Sequence, residues 1–373
     1  MKLVRFLPAL LLVAAGVAQA QLRVVQIAPL SGPLAGTGKQ LQQGAQLAFA
    51  EANAAGGVHG QKIVFETLDD AYKAEESVRL AREVAKRPEK PVALLGLVGT
   101  GNVAALIKEG IVDEIGVPVI GVRTGASSLR QPGHPLVYHL RASYAAEVEK
   151  LVEVASTIGN TRFGVMYQND PFGQDGLQAV QRALDKRKLP LLASAGYEKN
   201  TTKVEAAVET LLKAPDLQAI VLVSNSQATA TFVKAYREKG GLAQLYALSV
   251  NNDREVVAAI GAERARGLGI TQVVPFPTSG VMPVTRAYQG LLKKYQPDAE
   301  PSVSSMEGYL YGKVLVEALK RAGPKPTTQG LVKALSAAPF ELGGYQINFT
   351  SGKHEGSDFV ELTMIGAGGK LIR

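Results

Sequence analysis

Arg23-Val24-Val25-Gln26-Ile27-Ala28, then Ser31-Gly32-Pro33-Leu34-Ala35-Gly36-Thr37-Gly38, then Gly44-Ala45-Gln46-Leu47-Ala48-Phe49-Ala50-Glu51-Ala52-Asn53 is the stretch on which the fold turns. The first segment is apolar and β-branched, as a parallel strand buried on both faces must be. The second breaks regular structure, because glycine and proline leave little but a turn, and it bares backbone that a ligand can approach. The third carries small and apolar residues at helical spacing. Ala55-Gly56-Gly57-Val58-His59-Gly60 then stops the helix with residues that tolerate left-handed backbone, and Ile63 to Leu68 starts a second strand. The unit is β-α-β.

The same grammar continues outward. Helices are expected over 74–86 and 102–114, with strands over 91–96 and 117–121. A second run follows with helices over 144–158, 173–186, 204–213 and 227–239, and strands over 163–167, 191–196 and 219–223. Two doubly wound parallel α/β lobes follow from this alternation. The chain returns through 267–275, a long helix is expected over 303–321, and 345–349 and 359–365 read as strands of a terminal hairpin.

Lys2 and Arg5 precede the apolar run Phe6 to Val17, and Ala18-Gln19-Ala20 offers the small residues a signal peptidase reads. Residues 1–20 are therefore expected to be a signal peptide cut after Ala20, the apolar run being shorter than the ~20 residues a spanning helix needs. The roughly 350 residues that follow favour about two domains. The sequence has no cysteine, which excludes disulfides, thiolate metal sites and a lipidated N-terminal cysteine. A soluble protein in the periplasm of a Gram-negative cell is the expected outcome. The net charge of +8 falls to +6 without Lys2 and Arg5, and the charges are scattered, so nucleic acid is not an expected partner.

Ser31-Gly32-Pro33, the helix ending in Glu51-Ala52-Asn53, Gly56-Gly57-Val58 before Gly60, Asp69-Asp70, Phe172-Gly173 and the helix from Met306 to Arg321 together resemble the leucine/isoleucine/valine-binding protein family. These are type I periplasmic solute-binding proteins of ABC importers. The resemblance implies Rossmann-like lobes joined by a three-crossover hinge, with crossovers near 141–144, 273–277 and 339–344. It divides the chain into residues 21–142 plus 275–341 and residues 143–274 plus 342–373. It also implies no enzymatic activity, no cofactor, a small-molecule ligand such as a branched-chain amino acid, and an inner-membrane ABC permease as partner. A ligand sensor for a membrane receptor would share the fold.

Gly96-Leu97-Val98-Gly99-Thr100-Gly101-Asn102-Val103-Ala104 follows an apolar strand and opens a helix, where open α/β sheets bind ligands. Its glycine spacing also fits a dinucleotide turn, but strand 117–121 ends without the acid that would hold a ribose, and no lysine suits a phosphate loop. Thr100 with the amides of Gly101 and Asn102 is instead expected to accept a carboxylate; a plain tight turn is the alternative. In the family the loop after the next strand offers a carbonyl and a threonine hydroxyl to the ligand's ammonium group. Here Arg123 falls at the carbonyl position and Gly125 at the threonine position, so Thr124 would have to supply the hydroxyl. Arg123 is read either as a fork onto a ligand carboxylate or as half of a structural ion pair.

Phe172 matches a family aromatic that covers the ligand, Ser226 falls where another aromatic is common, and Val250 falls where the family has the acid facing the ammonium group. Either Asp253 or Glu147 replaces that acid, or the ligand is an aromatic or aliphatic carboxylate without an ammonium group. Thr37 and Tyr144 complete the candidate ligand set. His59, His134, His139 and His354 lack metal-ligand spacing, and Asp69-Asp70 is read as local hydrogen bonding rather than catalysis.

Overall fold

The computed structural model describes residues 21–373, so the expected signal peptide and its expected cleavage after Ala20 lie outside the described residues. The first lobe opens with β1 (Leu22–Ala28), α1 (Ala35–Ala54), β2 (Ile63–Asp69), α2 (Ala74–Ala85) and β3 (Ala93–Leu95). It continues with α3 (Thr100–Lys108), α4 (Ile111–Ile115), β4 (Val119–Ile120) and β5 (Val137–Tyr138). The second lobe contains α5 (Tyr144–Thr157), β6 (Phe163–Gln168), α6 (Pro171–Arg187), β7 (Leu191–Tyr197), α7 (Glu205–Lys213) and β8 (Ala219–Val223). It goes on to α8 (Ser226–Glu238), β9 (Gln244–Ala247), α9 (Asp253–Ile260), α10 (Ala262–Ala265) and β10 (Gly269–Gln272). The chain closes with α11 (Pro283–Tyr295), α12 (Val303–Ala322), α13 (Thr328–Ser336), β11 (Phe340–Glu341), β12 (Gln346–Ile347), β13 (Glu361–Ile365) and β14 (Leu371–Ile372).

The five-stranded sheet runs β2-β1-β3-β4-β5 and is parallel throughout. The seven-stranded sheet runs β14-β13-β10-β9-β8-β6-β7, so its parallel part repeats the same 2-1-3-4-5 order with β13 and β14 added antiparallel. Each sheet thus has one switch point, between β1 and β3 and between β6 and β8. There the strand order reverses and adjacent loops diverge, opening a crevice at the carboxyl ends.

Close helix packing fixes the first lobe. α1 lies against α12 through glycines: a Cβ on Gly44 would sit 1.8 Å from the Ser305 carbonyl oxygen, and one on Gly308 would sit 2.1 Å from that of Leu41. Leu41, Ala45, Ala48, Tyr309, Leu315 and Leu319 form the buried contact.

Three expectations are corrected. Gly36-Thr37-Gly38 belongs to α1 rather than to the turn, because the helix already starts at Ala35. The single helix over 102–114 is two, broken where Gly110 takes φ +68°. The strands expected to form a terminal hairpin do not pair with each other: β12 pairs with β11, and β13 joins β10. The reason is packing, since Tyr345, Ile347 and Phe349 join the first lobe's core while Thr363 and Ile365 are buried on the second sheet. Sequence patterning also left out α9, α11 and α13, although Asn252, Pro283 and Thr327 mark their starts.

Candidate functional site

The two switch points face each other, and the loops at their strand ends enclose a narrow cavity of about 20 Å³. From the first lobe come Leu34, Thr37, Tyr72, Val98, Gly99, Thr100 and Arg123; from the second come Tyr144, Phe172, Asn225 and Val250. Its walls are drawn together, so entry of a ligand requires the lobes to part. Many contacts hold them in this closed arrangement: Asn252 Nδ2 donates to Gln40 Oε1 (3.0 Å), the Ser128 amide donates to Asp175 Oδ2 (3.2 Å), and Lys199 Nζ donates to Asn102 Oδ1 (3.4 Å).

Of the expected ligand set, Thr37, Gly99, Thr100, Arg123, Tyr144, Phe172 and Val250 line this cavity. Gly101, Asn102, Thr124, Gly125 and Ser226 do not, and each has another setting. Gly101 faces Pro171 and Lys199 across the cleft. Asn102, in the first turn of α3, is buried and donates to Ser77 Oγ (2.8 Å) and Asp70 Oδ2 (3.2 Å). Thr124 Oγ1 accepts from the Ala126 amide and shares a hydrogen bond with Thr100 Oγ1 (2.7 Å), so it supports Thr100 from behind. The Gly125 carbonyl accepts from the Tyr144 amide (2.7 Å), and Ser226 Oγ accepts from the Asn252 amide (2.9 Å).

Sequence reading missed Leu34, Tyr72, Val98 and Asn225. Leu34, Val98 and Asn225 lie at strand-end turns, and Asn225 caps α8 by accepting from the Gln227 and Ala228 amides (3.0 and 3.1 Å). Position after a strand was the available signal for these three.

Arg123 is not a free fork. Its guanidinium pairs with Glu307 and donates to the Ser249 carbonyl (3.4 Å). Arg141, fully buried, bridges Glu307 (3.4 Å) and Glu147 (3.3 Å) and donates to Ser249 Oγ. Glu147, weighed above as a substitute for the missing acid, instead accepts from the Ser249 amide (2.8 Å), Ser249 Oγ (2.9 Å) and Thr271 Oγ1 (2.6 Å). Two guanidiniums and two carboxylates thus compensate one another where the lobes join. Burial pushes the Glu307 carboxyl up, but Arg141, Arg123 and the Tyr311 hydroxyl outweigh it, and its pKa lies below the ordinary value. Asp253, the other substitute, lies in the first turn of α9, half-buried and outside the lining. Burial raises its pKa.

No carboxylate therefore lines the cavity. Glu255 stands beside α1 next to the lining residue Thr37, its Oε1 so close to Gly36 that a Cβ there would be 2.0 Å away. Burial raises its pKa, against the Ser226 hydrogen bond and Arg123. The polar groups on offer are the Thr100 hydroxyl, the first-turn amide of α3, and the Thr37 hydroxyl, which is buried with no hydrogen-bond partner among the described residues. Leu34, Val98, Val250 and three aromatic rings form the apolar walls, and Gly99, the paired Arg123 and Asn225 complete the lining. Tyr144 and Phe172 meet at 5.1 Å with planes at 58°. The arrangement suits one anionic group at a helix N-terminus and an apolar body.

A larger open cleft of about 910 Å³ runs along residues 344–359 beside Arg130 and His139. It lies off both switch points, and its buried cation Arg130 is engaged by Glu355 and by the carbonyls of Thr124, Arg141 and Ala142. Burial pushes the His139 imidazole down to about 3. Among the described residues no group of three or more His, Asp or Glu side chains is placed to hold a metal, and no helix is long and apolar enough to cross a membrane.

Comparison with known proteins agrees with this architecture. A family model described as periplasmic binding protein matches residues 21–370. Leu/Ile/Val-binding protein homolog 7 of Brucella suis biovar 1 (strain 1330) is 27% identical over 369 residues, covering 91% of this chain and 88% of that one. The crystal structure of a substrate-binding periplasmic protein from Ralstonia solanacearum is 39% identical, with a TM-score of 0.89 over 94% of this chain and 99% of that one. An ABC transporter solute-binding protein from R. palustris, solved in complex with benzoate, shares the fold at 18% identity, with a TM-score of 0.83 over 95% of each chain.

Proposed function

This chain belongs to the periplasmic binding protein family, of the Leu/Ile/Val-binding type, whose members bind solutes and are not enzymes, and we propose that its own ligand is a small monocarboxylate with an apolar body and no ammonium group. The observation that carries this reading is the cavity lining: a helix N-terminus, two threonine hydroxyls, Asn225, the guanidinium of Arg123 and apolar walls, with no acid among them. Burying an unpaired ammonium group there would be costly. The benzoate-bound R. palustris protein supports it at the level of the fold alone.

Binding would draw the lobes together, shifting an open-closed hinge equilibrium through contacts to both. The closed form would then be presented to an ABC importer in the inner membrane. We assign residues 21–142 with 275–356 to one lobe and 143–274 with 357–373 to the other, in place of the boundary between 341 and 342 expected from the sequence. The third crossing is put after Gly356 because its amide donates to the His139 carbonyl (2.8 Å), tying 354–356 to the first sheet. The mature chain would begin at Gln21 in the periplasm, which N-terminal sequencing of periplasmic material tests.

Glu255 favours a second reading, an α-amino acid whose ammonium group that carboxylate meets beside Thr37. Calorimetry with benzoate, 4-methyl-2-oxopentanoate and leucine separates the two. Binding of either acid without leucine supports the first; leucine alone, lost in Glu255→Gln, overturns it in favour of the second.

A further inference from the structure

Ala71 and Tyr72 are consecutive non-glycine residues in left-handed backbone, at φ +48° and +62°. Side chains other than glycine rarely adopt that region, and two in succession persist only where neighbours hold them. The holders are the Asp69-Asp70 pair. Asp69 Oδ1 accepts from the amides of Leu30 (2.8 Å), Ser31 (3.2 Å) and Ala71 (2.9 Å). Asp70 Oδ1 accepts from the Tyr72 amide (2.9 Å), while Oδ2 accepts from Ser77 Oγ (2.6 Å) and Asn102 Nδ2 (3.2 Å). The two carboxylates thereby fasten a strained corner between β2 and α2.

The corner turns the Tyr72 ring into the cavity, where it is 4% exposed. Gly99 makes room for it, since a Cβ there would lie 2.6 Å from the ring. The second lobe meets the same side chain: Gln168 Nε2 donates to the Tyr72 hydroxyl (3.4 Å), and Lys199 Nζ stands 4.3 Å from the ring centroid. The hydroxyl accepts from Gln168, and the ring offers an occupant an apolar face. A cation over an aromatic face is attracted to it, most strongly when water is excluded.

We propose that Tyr72 is a specificity-determining ligand contact, set by the strained corner as a wall for the ligand's apolar body, and that Lys199 clamps its ring when the lobes close. This rests on the small-carboxylate reading. It assigns the Asp69-Asp70 motif a purpose, and it makes one side chain sense both the ligand's body and the approach of the opposite lobe.

The test uses the full mature chain with benzoate, 4-methyl-2-oxopentanoate and leucine as probes, and the variants Tyr72→Gly, Tyr72→Phe and Lys199→Met. Glycine accepts the left-handed backbone, so Tyr72→Gly removes the ring without adding strain. With whichever probe the parent binds, Tyr72→Gly should weaken binding tenfold or more, and Tyr72→Phe should stay within threefold. The bulkier 4-phenylbutyrate should gain on the parent's best probe in Tyr72→Gly, a shift in preference that a merely structural role would not produce. Lys199→Met should speed dissociation at least threefold in stopped-flow measurements. Tyr72→Gly binding within twofold of the parent, with the same preference among acids, overturns the inference alone, and an unchanged dissociation rate in Lys199→Met overturns the clamp. A parent that binds leucine only overturns the carboxylate reading while Tyr72 is still tested with leucine. A parent that binds none of the probes overturns both.

Discussion

Replacing Glu307 by glutamine removes the negative charge on which two buried guanidiniums converge. Glu307 is fully buried, pairs with Arg123, lies 3.4 Å from an Arg141 nitrogen and accepts from the Tyr311 hydroxyl. At an effective dielectric of about 20, each close charge pair is worth about 4 kcal/mol. Glutamine also spares the desolvation cost of the carboxylate, which brings the net loss toward the ~3–5 kcal/mol typical of breaking a buried pair from one side. What remains is Arg123, Arg141 and Glu147, a buried site with one uncompensated positive charge. Urea unfolding of the mature chain should therefore show a lower midpoint with an unchanged slope. Arg123→Met in the same background should recover part of the loss, because it removes the orphaned charge, and the two changes are coupled. The sign of the pH dependence follows from the lowered Glu307 pKa. Stability from this carboxylate is fully present above its ordinary value of 4.5 and is lost as pH falls through the lower folded value, so parent and variant should converge in acid. A destabilisation under about 1 kcal/mol at pH 7, or additive effects of the two substitutions, would refute the reasoning.

Thr100→Ala removes the hydroxyl shared with Thr124 at the α3 N-terminus, and calorimetry should show binding weakened by about 1.5–3 kcal/mol with the fold intact. Gly308→Ala sets a methyl 2.1 Å from the Leu41 carbonyl oxygen, so separation of α1 from α12 should lower stability by about 1–3 kcal/mol in urea unfolding. Hydrogen bonds from Arg187 outweigh burial at Glu149 and, with Lys186, hold its carboxyl down at about 2, which NMR titration should reproduce. Its contribution is present above about 4.5 and lost as pH falls toward 2. Because the pair is solvated, Glu149→Gln should cost no more than about 1 kcal/mol.

The alternation of β-branched runs with amphipathic helices, readable from Arg23 onward, determined two doubly wound α/β lobes, because strand and helix periodicity are properties of neighbouring residues. The loops at the carboxyl ends of strands were legible as ligand-facing for the same reason, and Gly99, Thr100 and Phe172 were found through them. Local signals stop there. Whether Arg123 meets a ligand or an acid depended on Glu307, 184 residues away on α12, the helix whose Tyr311 packs closely on Gly121 at the same strand end. Glu147 was equally visible as an acid, but the amide and hydroxyl of Ser249, 102 residues on, satisfy it. Tyr72 carried no periodicity of its own, and its place in the cavity comes from a left-handed corner that the Asp69 and Asp70 carboxylates hold. Sequence determined the backbone plan and the loops that form the site. The partner of each buried charge and the wall on which each ring lies were decided by tertiary packing, since a buried charge settles on whichever compensating group the fold brings within reach.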